Sequence, residues 1–285
     1  AESGNEGLVP EGPLDMLRRA YLASLLTNRR LLANLAPVLE SFASHEVPTI
    51  LLKGPALCLD FYPDPALRPF GDIDILVSQE QVQLCKSLLD ELGYRLVPDN
   101  YFPIPDHRND ELGCEWTYQK DGYVIELHWN LINRLAPFPI DISMFWENAQ
   151  TVEIEEKPVL VMSHEKQLLH LCLHQFKHHW KHLRDLTDIA LLVDSLEDAN
   201  GWQKLTSDAR KQGLGKCLYF NIHLAERVLQ TAPTPLSPTK LLGRRRPGFV
   251  SRTVGNMVAD NILEKHLPRR FWEILLVNGA RNKMT

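Results

Sequence analysis

Two aspartates separated by one isoleucine, Asp72-Ile73-Asp74, open an apolar run that continues as Ile75-Leu76-Val77. Side chains alternate along a strand, so both carboxylates face one side while Ile73, Ile75 and Val77 face a core. Two anions held this close repel each other and lose hydration, unless a cation sits between them. Hard oxygen donors on such a ledge suit Mg2+ bound together with substrate phosphates. The plainer alternative is that one aspartate caps a turn and the other is solvated.

Other residues bear on that choice. Leu51-Leu52-Lys53-Gly54 reads as a strand ending in a lysine and a glycine. The missing side chain of Gly54 would let a phosphate approach the backbone beside the N-terminus of a following helix. Lys53 either reaches that phosphate or points to solvent. Arg68, in the loop before the aspartates, either clamps phosphate oxygens or pairs with Asp64 or Asp72. Downstream, Glu126 supplies a third carboxylate on a polar strand face that also carries His128. Six of the eleven histidines fall between His164 and His182, and His170, His174 and His178 recur every four residues along one helical face. That face could line an acceptor cleft with His174, Lys177 and His178, bind zinc as a metal hydrolase would, or serve packing alone. The HExxH zinc pattern is missing. Asp185 and Asp188 are placed to orient these histidines or to pair with Arg184.

The elements that must position these groups are legible from periodicity and turn chemistry. Leu14 to about Ser44 reads as a helix that Pro37 should kink or end. Thr49–Leu52 reads as a strand, Ala56–Phe61 as a short helix, Asp72–Val77 as a strand, and Gln79–Leu92 as a helix closed by Gly93. Asp121-Gly122 predicts a two-residue hairpin turn with positive φ at both positions. Its register sets Lys120 against Tyr123, Thr117 against Glu126 and Glu115 against His128. The polar residues Glu115, Thr117, Glu126 and His128 then share one face, while Cys114, Trp116, Tyr118, Ile125, Leu127 and Trp129 share the other. From Ser163 the chain reads as helical, over His164–His182, Leu183–Leu196, Trp202–Gln212 and Leu214–Gln230. The expected class is α+β: a flexible tail at 1–12, a mixed-sheet domain at 13–162, and a helical domain at 163–285 with a basic C-terminal segment.

The runs LLKGPALCLDFYPDPALRPFGDIDILV, YVIELHW and LLHLCLHQFKHHWKHLRDLTDIALLV resemble a bacterial family of uncharacterised nucleotidyltransferases with LKG, R-x3-DIDLLV and LHW patterns, over about residues 45–195. That resemblance implies a fold of the DNA polymerase β type and transfer of a nucleoside monophosphate from an NTP, with ATP the working case, to an acceptor hydroxyl. Two Mg2+ ions would do this work, one activating the hydroxyl and the other orienting the triphosphate. It implies Asp72, Asp74 and Glu126 as metal ligands and catalytic residues, and Lys53, Gly54 and Arg68 as nucleotide-binding. His128, His174, Lys177 and His178 are the candidates for the acceptor side. Pro55 stands where active transferases of the wider fold carry serine or glycine, so a nucleotide- or partner-binding module without transfer is the alternative reading.

Composition bounds the partners. With 285 residues, 44% hydrophobic and 24% charged, the chain is that of an ordinary globular protein. No run approaches the roughly 18 to 20 apolar residues of a membrane span, and the polar start AESGNEG does not read as a signal peptide. The five scattered cysteines suggest buried, reduced thiols, and the expected location is cytoplasmic. The net charge of -5 splits into +7 over residues 240–285 and -12 over the rest. Arg244-Arg245-Arg246 and Arg269-Arg270-Phe271-Trp272 could grip an RNA acceptor, although surface charge and helix packing are the favoured reading.

Overall fold

The computed structural model describes residues 10–98, 106–178, 183–196 and 199–231. The basic C-terminal segment, His179 and His182 lie outside them. The elements in chain order are α1 (Glu11–Ser44), β1 (Ile50–Leu52), α2 (Lys53–Phe61), β2 (Ile73–Leu76), α3 (Val82–Glu91), β3 (Arg95–Val97), α4 (Asp106–Leu112), β4 (Glu115–Lys120), β5 (Tyr123–His128) and α5 (Ser143–Trp146). They continue with β6 (Gln150–Ile154), β7 (Lys157–Val161), α6 (His164–His178), α7 (Leu183–Asp194), α8 (Ala199–Lys211) and α9 (Gly215–Leu229). The strands form one seven-stranded sheet in the order β3-β4-β5-β2-β1-β7-β6. The class is α+β. Among the described residues no helix is long and apolar enough to cross a membrane.

Two compact units divide the chain. Of the described residues, the first takes in 10–97, 117–127 and 152–159. In it, α1 buries Leu31, Leu35, Val38, Leu39 and Phe42, a stripe at helical spacing. The helix runs through Pro37, where the sequence led us to expect a kink or an end. Pro37 lies on the exposed side, as does Ala33 one turn earlier, so water can take the carbonyl that loses its intrahelical partner. The helix also starts at Glu11, just inside the segment expected to be a tail. Strands β1 and β2 pair antiparallel, with Leu52 opposite Asp74. That register sets Lys53, the next residue, at the level of the aspartates. α3 closes at Gly93 with φ +88, and Lys120 Nζ donates to the Leu92 carbonyl at 2.8 Å, covering an orphan acceptor of the last turn.

Asp121 and Gly122 take φ +50 and +83, as a hairpin turn of this type requires. Trp116 and Tyr118 of β4 and Ile125 and Leu127 of β5 are all buried, so the two strands agree on their apolar face. Nothing lies within 4 Å of where a Gly122 side chain would begin. Gly122→Val therefore meets no neighbour, and its cost is backbone strain alone. We expect a loss of about 1–2 kcal/mol in denaturant unfolding, with Gly122→Asn losing clearly less. β6 and β7 form a second connection of this kind, turning at Glu155 and Glu156 with φ +48 and +62.

Of the described residues, the second unit takes in 98, 106–116, 128–151, 160–178, 183–196 and 199–231. Its core is α6, packed on α7, α8 and α9, with Leu168, Leu169, Leu171, Cys172 and Leu173 excluded from solvent. Lys166 is fully buried there, its Nζ 2.7 Å from Asp208 Oδ2.

All five cysteines are buried free thiols. Burial pushes Cys85 and Cys217 up to about 12, and Cys172 well above its ordinary value. Burial likewise raises Tyr94. An acid whose folded pKa is raised holds its proton longer in the native state than in the unfolded chain. Its contribution is complete below the ordinary thiol pKa of 9.0 and is lost as pH climbs towards about 12. Urea midpoints followed from about pH 8 to about pH 11 should therefore fall steadily above about pH 9, and a flat profile would contradict the burial of these thiols.

Candidate active site

The acidic pair is built by neighbouring strands of the first unit. Asp74 comes from β2 and is 2% exposed, although its place on the polar side of the alternation led us to expect an open ledge. Every residue of β2 is buried, so both faces of the strand are covered. Glu126 comes from β5, next to β2 in the sheet, and one carboxylate oxygen of each lies within 4.8 Å of the other. Asp72 stands just ahead of the strand and is half-buried. His128, the next residue on Glu126's face of β5, belongs to the same set of metal-capable donors. Among the described residues this is the one such set, and the histidines of α6 form none. The two carboxylates of this set, Asp74 and Glu126, are hard oxygen donors of the kind that suits Mg2+.

Lys53 reaches into this pair. Its Nζ is 2.6 Å from Asp74 Oδ1 and 4.0 Å from Glu126 Oε2, with its side chain 12% exposed. The backbone there has φ +41, uncommon for a residue with a side chain. The sequence placed Lys53 at a strand end, whereas it is the first residue of α2.

Gly54 has a reason the sequence did not show. A Cβ at that position would stand 3.0 Å from Phe70 Cβ and 3.2 Å from Phe70 Cγ. The space left by the missing side chain is therefore filled by Phe70. Any phosphate contact here would use backbone N–H groups at the start of α2, where Pro55 offers none. Arg68 is 2% exposed, and one guanidinium nitrogen lies 3.6 Å from that same Cβ position. The loop carrying it is tied down by Asn28 of α1. The Asn28 side chain donates to the carbonyls of Pro65 and Arg68 at 2.7 and 3.0 Å and accepts from Phe70 N–H at 3.3 Å. Asn28 had no turn or spacing signal to single it out. Asp64, one of the partners considered for Arg68, accepts from Tyr21 Oη at 2.5 Å and from the Ala66 N–H at 2.8 Å. The tyrosine bond holds the Asp64 carboxyl low and pushes the Tyr21 phenol up.

The second unit holds its own polar cluster. Glu115, where β4 begins, receives Lys177 Nζ on both oxygens at 2.6 and 2.7 Å. His128 Nδ1 lies 3.1 Å from Glu115 Oε2, which matches the register that set Glu115 against His128. Glu115 was placed on the right face but given no role. Along α6, His174 Nδ1 is 3.5 Å from Asp185 Oδ2 and its ring lies 4.4 Å from that of His178. Arg184 Nε is 3.6 Å from the other oxygen of Asp185.

Three comparisons with known proteins bear on this arrangement. No curated protein matches the chain. Among solved structures, it is similar to the antibiotic-resistance factor ANT(2″)-Ia in complex with adenylyl-2″-tobramycin, at 14% identity and a TM-score of 0.44, covering 63% of this chain and 97% of that one. A second likeness is to an antigenic nucleotidyltransferase-like protein from Paracoccidioides brasiliensis, at 17% identity and a TM-score of 0.39, covering 66% and 92%. A third is to the lincomycin-bound lincosamide antibiotic adenylyltransferase LnuA, at 17% identity and a TM-score of 0.37, covering 56% and 94%. Likeness at these TM-scores carries no information about substrate. The family model described as "Uncharacterised nucleotidyltransferase" matches residues 1–230, most of the chain, and the protein belongs to that family.

Proposed function

We propose that the protein transfers a nucleoside monophosphate from an Mg2+-bound NTP to an acceptor hydroxyl, with Asp72, Asp74 and Glu126 holding the metal. The observation that carries this reading is the buried Asp74 carboxylate set beside Glu126 on the neighbouring strand. Lys53 supplies one positive charge to this pair of carboxylates, and nucleotidyl transfer requires metal cations beside carboxylates placed in this way. When bound, the metal supplies a hydroxyl of lowered pKa and screens the charge that builds on the departing pyrophosphate. The protein's own part is to hold the ligands rigid. Asp74 is fixed by its register opposite Leu52, and Glu126 by a hairpin whose turn is specified at both positions.

Lys53, Gly54 and Arg68 are assigned to the triphosphate. The lysine would act as a point charge, and the Gly54 N–H as a donor at the start of α2. His128, His174, Lys177 and His178 are assigned to the acceptor. Glu115 joins them as the carboxylate that orients His128 and Lys177. A cytoplasmic location is part of the proposal, supported by five free thiols and no disulfide.

The test is direct. The protein is incubated with each α-labelled NTP, Mg2+ and fractionated cell extract. The reading expects label to enter one fraction with release of pyrophosphate, and to stop when the metal is chelated. Nucleotide binding without label transfer in any fraction would select the non-transferring module instead.

A further inference from the structure

We propose that Lys53 is an internal counter-ion that competes with the metal for Asp74 and Glu126, and that a triphosphate relieves this competition by drawing the lysine to itself. The inference rests on the reading of those carboxylates as metal ligands and deepens it. The ammonium stands 2.6 Å from one Asp74 oxygen and 4.0 Å from Glu126, so it shields oxygens that a divalent cation would need. With Asp74 2% exposed, water screens the three charges weakly, and a positive charge at this distance raises the cost of bringing in another. The opposing force is mobility. Lysine carries a compact charge on a flexible four-carbon stem, and can turn from a carboxylate to a phosphate where a rigid guanidinium fork could not.

The backbone supports a functional reason for the lysine. At φ +41 a glycine would be unstrained, and strain of this kind persists where the surroundings over-determine it. The strained residue sits where β1 passes into α2, between the acidic pair and the helix N-terminus, two places that attract cations and anions respectively. Lys53 can serve either. Metal and triphosphate would then favour each other's binding, and the coupling is reciprocal by linkage.

The test measures Mn2+ binding alone, by electron paramagnetic resonance at one fixed pH, in wild type, Lys53→Met, Lys53→Gly and Asp74→Asn. Lys53→Gly suits the positive φ and guards against a folding defect in the methionine variant. The proposal expects both lysine variants to bind Mn2+ about tenfold or more tightly than wild type, and Asp74→Asn to lose binding. If the lysine variants bind no more tightly while Asp74→Asn still loses the ion, Lys53 is not a competitor and the metal reading stands. If Asp74→Asn binds Mn2+ as wild type does, the metal lies elsewhere, and both the reading and the proposal fall.

Discussion

Asp74→Asn is expected to lower nucleotidyl transfer by about a hundredfold to a thousandfold, the size of effect seen when a group that stabilises transition-state charge is removed. The amide keeps the shape of the side chain but gives up the charge that holds a metal. Its effect on stability is where the structure changes the expectation. From sequence alone, neutralising one of two crowded carboxylates should relieve repulsion and leave the fold intact or more heat-stable. Instead Asp74 pairs with Lys53 at 2.6 Å. Losing that charge leaves a mostly buried ammonium facing Glu126 at 4.0 Å. Breaking a buried pair by removing one partner costs about 3–5 kcal/mol, and the remaining carboxylate and partial exposure should reduce this to about 1–3 kcal/mol. Activity and unfolding free energy measured on the same preparation check both parts. Full activity in Asp74→Asn would contradict the proposed mechanism, and a raised melting temperature would contradict the pairing.

The second large effect lies in the helical unit and concerns folding only. Lys166 is 0% exposed and pairs with Asp208 at 2.7 Å, with Glu147 farther off at 3.8 Å. Asp208→Ala leaves a charged amine in the core with only the distant, exposed Glu147 near it. We expect a loss of about 3 kcal/mol or more. The paired replacement Lys166→Met with Asp208→Leu should recover most of that loss, because two apolar groups of similar volume avoid desolvating either charge. Denaturant unfolding of the single and double variants decides it. A double variant as unstable as Asp208→Ala would show that the packing, rather than the stranded charge, sets the cost.

The parts of this molecule that local chemistry dictates were legible in its sequence. Asp121-Gly122 announced a turn because only a few residues tolerate positive φ, and the alternation on either side fixed which face of β4 and β5 is apolar. The helix before Gly93 and the helices after Ser163 were legible for similar local reasons. The Glu155-Glu156 turn between β6 and β7 was not, since two glutamates adopt positive φ there against their own preference and under the pull of the paired strands. Pro37 misled because its effect depends on which side of α1 faces water, which is a tertiary matter. Gly54 has a further reason of the same tertiary kind: its smallness admits Phe70, a residue whose approach no spacing rule foretells. The partners of Lys53 and Glu115 were invisible because sheet order and helix docking bring them together. Lys177 and Glu115 are 62 residues apart in the chain.

The central claim is that Asp74 and Glu126 hold the metal on which nucleotidyl transfer depends. The most direct measurement is anomalous diffraction from crystals of the wild-type protein grown with Mn2+ and a non-hydrolysable NTP analogue. The account predicts an anomalous peak bonded to carboxylate oxygens of both Asp74 and Glu126, with the phosphates of the analogue on the same ion. A peak bonded to neither carboxylate, on the histidines of α6 for example, would contradict it.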